Sequence, residues 1–338
     1  MIRWLALDIG GANIKVADGL GFAATTAFSL WREPARLTDA LRAALAGSPP
    51  ADHLAVTMTG ELADCFATKA EGVQKILDAL AVAADRRHTR IYRADGALVA
   101  PPIALRTPEL TASANWHALA RFAGRYAKHG PALVIDIGST TTDIVPLSDG
   151  KVAAAAKGDT ERLVYGELVY TGVERSPLCA VISAAPWRGN QCPLAQEVFA
   201  TTLDVYLTLG DFSEDPASTR TADGRPATRE AARDRLARAI CADRTMFSAE
   251  EATAMAEAAT RSQLAKIAVA AGQLVKRMSG PPQTVIVSGR GEFLARRVVE
   301  RMWSAAQVVS LHDQLGPDVS ACAPAHALAV LSQEGAST

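Results

Sequence analysis

Two stretches of this 338-residue chain carry the same chemistry. Residues 5–17 read LALDIGGANIKVA, residues 133–145 read LVIDIGSTTTDIV, and the two align without a gap. Asp8 falls over Asp136, Gly10 over Gly138, and Lys15 over Asp143. Each copy is an apolar strand, a carboxylate, a tight glycine turn and a returning strand. Glycine lacks a side chain and tolerates positive φ, so backbone N–H groups can converge there, and converging N–H groups are the densest supply of donors for a phosphate. The hydroxyls of Ser139 to Thr142 add donors in the second copy. Carboxylates repel phosphate oxygens, so Asp8 and Asp136 make sense as holders of a hydrated Mg²⁺ lying between them and the phosphates. Lys15 has Ile14 and Val16 on the opposite strand face, which points it either to solvent or to a phosphate. Asp143, following three threonines, is expected to reach the same cleft as a metal or catalytic carboxylate.

The elements that position these residues follow from periodicity. A repeat separated by more than a hundred residues implies two related domains facing one another, not a solenoid, and the chain is long for a single core. Residues 284–300, TVIVSGRGEFLARRVVE, form a third strand, glycine turn and helix. Helical spacing is expected over 32–46, 68–84, 113–129, 193–209, 228–242 and 248–279. Ser248 with Glu251 makes a capping box, Ser113 is expected to cap the helix it precedes, and a last helix follows Pro324. With 49% hydrophobic residues and a net charge of −1, the composition gives no bias toward nucleic acid. No apolar run is long enough to span a membrane, and Asp8 breaks any signal-peptide pattern. Five scattered cysteines read as reduced thiols, so a cytoplasmic protein is expected. Cys192, before Pro193 at an expected helix start, is read as packed, as is Trp116.

The three glycine turns, taken in order, resemble the two phosphate loops and the adenosine loop of the acetate and sugar kinase/Hsp70/actin superfamily. The resemblance implies an α/β protein of two ribonuclease-H-like domains flanking a phosphate-binding cleft. Gly10, Gly11, Ala12 and Asn13, with Lys15, would line one side, and Gly138, Ser139, Thr140 and Thr141 the other. Gly289, Arg290 and Gly291 would hold a nucleotide or the tail of a substrate. The expected domains are 1–130, with a helical insertion at 59–128 and completed by a C-terminal helix at 324–338, and 131–323, with a helical insertion at 193–280.

Other words narrow the resemblance. VTMTGELADCFATKAEGV (56–73), ASANW (112–116), YTGVERSPLCAV (170–181) and TADGRPATREAARDRLA (221–237) resemble hydantoinase/oxoprolinase-related proteins of tetrahydromethanopterin-linked one-carbon metabolism. Archaeal relatives of that kind make methanofuran: they join an aminomethyl-furanyl-methyl diphosphate to the phenol of γ-glutamyltyramine, forming an ether and releasing diphosphate. The resemblance thus implies a small-molecule diphosphate and a phenolic acceptor as substrates, with Mg²⁺ as cofactor. Glu61, at the mouth of a strand, or Asp143 would take the phenol proton, and Lys69 would offer a point charge to diphosphate. The plainer reading has Thr59 capping a helix, with Asp64 and Glu71 on its solvated first turn. The alternative function is an ATP-dependent small-molecule kinase or hydantoinase/oxoprolinase-type hydrolase using the same turns for ATP.

Overall fold

The first repeat opens a six-stranded sheet. β1 (Trp4–Gly10) pairs antiparallel with β2 (Asn13–Ala17), and β2 with β3 (Ala23–Ala27). On the other side of β1 run β4 (His53–Thr59) and β5 (His88–Tyr92), both parallel, with β6 (Leu98–Val99) at the edge. The second repeat opens another sheet with β7 (Pro131–Ile137) and β8 (Thr142–Ser148), β9 (Lys151–Val152) pairing with β8. β10 (Leu168–Val169) flanks β8, while β11 (Ala184–Trp187) and β12 (Asn190–Pro193) form a separate hairpin. β13 (Thr284–Ser288) and β14 (Gln307–Ser310) complete the second sheet, parallel to β7. The computed structural model describes residues 3–336; residues 1–2 and 337–338, placed at the ends of the expected first domain, lie outside it.

The order β10-β8-β7-β13-β14 repeats β3-β2-β1-β4-β5 strand for strand. The chain is therefore an α/β protein with two ribonuclease-H-like halves, the fold of the acetate and sugar kinase/Hsp70/actin class. The segment 59–128, expected as an insertion, instead supplies β5 and β6 to the first sheet and the helices Lys69–Ala84 and Asn115–Ala123. In the second half the crossover from β10 to β13 is the enlarged part. It carries the hairpin and the helices Thr202–Leu209, Arg229–Arg238 and Ala249–Val275. The helix expected from 193 begins only at Thr202, because Thr201 and Asp204 form a capping box there. Cys192 and Pro193 consequently lie in β12 rather than at a helix start. The Ser248–Glu251 capping box opens the long helix. The 221–237 segment is an ionic brace: Arg235 and Arg238 each reach Asp223 at 3.0 Å, and buried Arg235 also pairs with buried Asp204 at 2.7 Å.

Strand alternation decides which residues can meet. Leu5, Leu7 and Ile9 of β1, with Ile14 and Val16 of β2, enter an outer core beneath the helices Leu37–Ala46 and Lys69–Ala84. Trp4 and Ala6 point the other way, into a core shared with Ala132 and Val134 of β7 and Val145 and Leu147 of β8. Between the two sheets in that shared core lie the helices Asn115–Ala123 and Ala323–Ala336. By the same alternation Asp8, Lys15, Asp136 and Asp143 all fall on the faces that the sheets turn toward each other. Among the described residues no helix is long and apolar enough to cross a membrane.

The helix Lys69–Ala84 presses directly on the strand-end turn after β4. A Cβ on Gly72 would sit 2.0 Å from the carbonyl oxygen of Glu61 and 2.7 Å from its Cα, so only glycine permits this approach. Gly72→Ala is expected to cost about 1–3 kcal/mol of stability through overpacking. Gly11→Ala, whose Cβ would meet nothing within 4 Å, should stay within about 0.5 kcal/mol of wild type. Denaturant melts of the two variants measure this, and equal midpoints would contradict the packing argument.

Candidate functional site

A cleft of about 410 Å³ opens between the two halves at the C-terminal ends of β1 and β7. All nine residues expected in the phosphate turns, Gly10, Gly11, Ala12, Asn13, Lys15, Gly138, Ser139, Thr140 and Thr141, line it, as do Asp8, Asp136, Asp143 and Glu61. Lys15 is thus turned to the cleft and not to solvent. It stands opposite Asp8 in the β1–β2 register, just as Asp143 stands opposite Asp136 in β7–β8.

Neither turn needs a left-handed glycine, since Gly10, Gly11 and Gly138 all have negative φ. What Gly10 supplies is room: a Cβ there would come within 3.0 Å of the Asn13 carbonyl oxygen and 3.3 Å of Thr59 Oγ1. In the second turn Gly138 N–H donates to Thr141 O at 2.9 Å, closing the loop. Among the described residues no protein group accepts from the backbone N–H of Ser139 or Thr140. Their side-chain oxygens lie 3.4 Å apart on the cleft wall. Thr142, expected beside them, is buried and donates to Thr171 O at 2.8 Å, so it takes no part in the wall.

The carboxylates are steadied by one short segment, 112–116. Ser113 Oγ donates to Glu61 Oε1 at 2.9 Å, while Glu61 Oε2 is buried with no partner. Asn115 Nδ2 donates to Asp8 Oδ2 at 3.4 Å, and Asp8 Oδ1 is likewise buried and unpartnered. The Trp116 ring lies 4.0 Å under the guanidinium of Arg162, which in turn pairs with Asp143 at 2.8 Å. Ser113 therefore does not cap the helix Asn115–Ala123; it adopts φ 48° and orients Glu61. The cap of the helix Lys69–Ala84 is Thr68, not Thr59, which ends β4 on the cleft.

Burial sets the electrostatics. Removal from water pushes Glu61 up to about 7, with the Ser113 bond opposing, and Asp136 up to about 6, with the charge of Asp143 adding to the effect. Asp8 and Asp143 are raised too, chiefly by burial; Lys15 and Arg162 respectively oppose the shift.

Four expected site residues stand off the cleft wall. Lys69 forms an ion pair with Asp159 at 3.4 Å, bridging the two halves, because a nearby partly buried carboxylate captures its ammonium. Gly289 packs against Ile137 O and Gly291 against the side chains of Ile137 and Val173, so the third turn backs the second rather than lining the cleft. Arg290 pairs with Glu174 at 2.6 Å. Conversely, Arg162, Ser113, Asn115, Asp159 and Arg175 line the cleft without having been expected there. The ASANW word was the available signal for two of them. Nothing in the sequence distinguished Arg162, which is 1% exposed and sits in an ordinary helical stretch, Asp159–Tyr165.

The donor set bears on a metal. Six carboxylates and three cationic side chains line the cleft, so its wall would repel a diphosphate without an added cation. Among the described residues no three His, Cys, Asp or Glu side chains are grouped to hold a metal directly. Such a wall fits a hydrated Mg²⁺ held through its waters by Asp8 and Asp136, with the unpartnered Asp8 Oδ1 as one acceptor.

Comparison with known proteins identifies relatives of this chain. Residues 52–334 match the Hydantoinase/oxoprolinase family. The chain is 31% identical, over 98% of its length and 98% of the relative's, to (4-{4-[2-(gamma-L-glutamylamino)ethyl]phenoxymethyl}furan-2-yl)methanamine synthase of Methanocaldococcus jannaschii. It is 30% identical to the protein of the same name from Methanococcus vannielii, over 59% of this chain and 89% of that one. Component A of the (R)-2-hydroxyglutaryl-CoA dehydratase of Acidaminococcus fermentans superposes over 100% of both chains with a TM-score of 0.45 and 12% identity. On the family match and the full-length relative, this chain belongs to the hydantoinase/oxoprolinase family.

Proposed function

We propose that this protein is an ether-forming transferase of methanofuran or methylofuran biosynthesis. It condenses an aminomethyl-furanyl-methyl diphosphate with the phenol of a γ-glutamyl-tyramine or tyrosine acceptor and releases diphosphate. The observation that carries the reading is Glu61: a carboxylate on the cleft wall, one oxygen fixed by Ser113, the other without a partner, and a pKa near 7. A base poised there suits a phenol. The name of the two archaeal relatives, a synthase of a phenoxymethyl furan, supports the same bond.

In this reading the carbon–oxygen bond between the furan methylene and diphosphate breaks, and the diphosphate leaves with the bonding pair. The phenol oxygen bonds to the methylene as its proton passes to Glu61 Oε2. The uncommitted N–H groups and hydroxyls of Ser139 and Thr140, with Asn13 and Lys15 opposite, receive the charge that builds on the leaving group. Mg²⁺ held by Asp8 and Asp136 would supply the remaining positive charge when bound. Asp143 is less suited as the base, since Arg162 already occupies its Oδ1. Contacts across the cleft, Lys69 to Asp159 at 3.4 Å and Arg220 to Asn13 Oδ1 at 3.2 Å, hold the halves together and limit water as a competing nucleophile. An ATP reading would ask Gly289 and Gly291 to hold adenosine, whereas they pack behind the second turn.

Purified protein supplied with both substrates and Mg²⁺ should yield the ether and diphosphate in equal amounts; absence of both products would end the proposal. Because Glu61 must be ionised to act, kcat/KM should fall tenfold per pH unit below about 7. Ser113→Ala, which removes a bond favouring the carboxylate, should move that limb to higher pH. Glu61→Gln should lose on the order of 100-fold or more in rate.

The same residue makes a stability prediction. A pKa of about 7 against an ordinary 4.5 means that the native state keeps a proton the unfolded chain has lost, so stability falls as pH rises from about 4.5 to 7 and then levels. Glu61→Gln should therefore be more stable than wild type above pH 7, by about 3 kcal/mol at most. Thermal melts at pH 5 and 8 would show the gap opening with pH, and a gap independent of pH would refute the buried-charge assignment.

Calorimetry reports on the phosphate end by itself. Diphosphate should bind only with Mg²⁺ present, and Asp136→Asn should weaken that binding about tenfold or more. Equal binding with and without the ion would remove Mg²⁺ from the site.

A further inference from the structure

The main cleft has a side arm. A second cavity of about 80 Å³ shares Thr140, Tyr170 and Arg175 with it and continues to Ser176 and Lys266. Its electrostatics are opposite to those of the cleft. Arg175 and Lys266 both border it, and among the described residues neither forms an ion pair. Arg175 is placed by its backbone, whose N–H donates to Ser139 O at 2.9 Å, and its guanidinium lies over the Trp31 ring at 4.8 Å. Lys266, from the helix Ala249–Val275, spends one donor on Ala180 O at 3.2 Å and keeps the others. Glu174, next to Arg175 in the chain, is engaged by Arg290. Tyr170, 68% exposed, stands at the junction of arm and cleft.

Two unpaired cations beside a cleft whose wall is mostly anionic form a site for an anion distinct from the phosphates at the turn. We infer that the side arm binds the carboxylate of the acceptor's amino-acid tail, which makes Arg175 and Lys266 the residues that select a tailed phenol over a plain phenolic amine. The inference rests on the proposed alkylation of a phenol. With the phenol at Glu61, the aryl ring can lie toward Tyr170, and the tail follows into the arm. An Arg beside a Lys recognises a carboxylate through charge-assisted hydrogen bonds that tyramine, which lacks the carboxylate and carries an ammonium at neutral pH, cannot make.

Calorimetric titration with γ-glutamyltyramine and with tyramine, on wild type and on Arg175→Gln/Lys266→Met, tests this without requiring turnover. Wild type should prefer the glutamylated phenol on the order of tenfold or more, and the double variant should lose that preference. Binding of Mg²⁺-diphosphate should be unchanged in Lys266→Met, whose side chain borders the arm and not the main cleft. The single variant Lys266→Met, at an exposed position, should lose part of the preference and guards against misfolding of the double variant. No preference in wild type, or a preference kept by the double variant, would overturn the assignment. So would loss of diphosphate binding in Lys266→Met, which would place the arm in the leaving-group site. Turnover separates the two proposals: ether formed equally well from both acceptors removes the side-arm site and leaves the transferase. A binding preference with no ether from either acceptor removes the transferase and leaves an anion site.

Discussion

The structure is organised around the cost of burying carboxylates. Asp8, Asp136, Asp143 and Glu61 share one cleft, and burial pushes every one of them toward its protonated form. A charge held in that state needs a dedicated donor or a cation, because an unpaired buried ion costs several kcal/mol. The segment 112–116 answers for three of the four: Ser113 for Glu61, Asn115 for Asp8, and Trp116, through Arg162, for Asp143. These donors are few enough to leave Glu61 Oε2 and Asp8 Oδ1 unsatisfied. Both residues line the cleft, so these open acceptors lie where the proposed reaction would bring a proton or a cation.

The duplication explains how the two sides of the cleft came to differ. At equivalent register positions the first half has an acid opposite a base, Asp8 and Lys15, and the second an acid opposite an acid, Asp136 and Asp143. In the first pair the charge of Lys15 offsets part of the cost of burying Asp8. The second pair contains no cation, and Arg162 enters from the helix Asp159–Tyr165 to take Asp143 at 2.8 Å, leaving Asp136 without a cation of its own. Asp136 is accordingly raised to about 6 with Asp143 as a contributor. One exchanged residue in a copied motif thus converts a balanced hairpin into one that is short of positive charge at the point where a phosphate-bound cation would lie.

Much of this was legible in the sequence because it depends on local pattern. Alternation in LALDIGGANIKVA and LVIDIGSTTTDIV fixes which residues face the cleft once the two strands pair, and a gapless repeat implies the same register in both halves. The repetition implied two related domains, and the resemblance of the three glycine turns implied their ribonuclease-H-like fold. What was not legible depends on contacts between distant segments. Arg162 carries no signal in its local sequence, and its burial depends on distant partners, Asp143 and the ring of Trp116, 46 positions earlier in the chain. Lys69 looked free for phosphate, but domain packing brings Asp159 to it from 90 residues away. Ser113 satisfied every local rule for a helix cap and was diverted to Glu61 across 52 residues. In each case a long-range electrostatic demand overrode a short-range preference.

Rigidity is supplied from behind by glycines. Gly72 lets a helix press on the Glu61 backbone, and Gly172 does the same for the second turn, where a Cβ would lie 2.5 Å from Ser139 C and Thr140 N. Gly291, packed on Ile137 and Val173, adds a third buttress beneath the same turn. Close backbone-to-backbone packing of this kind leaves little room for the turns to move, so their N–H groups are aimed before any ligand arrives. Below the cleft the halves share a buried core, and across its mouth they meet through partly exposed polar contacts such as Lys69 with Asp159 and Arg220 with Asn13. Such contacts are individually weak and can be broken and remade. Packed turns and a breakable rim divide the work: in the proposed reaction the first aim donors at the leaving group, and opening of the second would admit substrate.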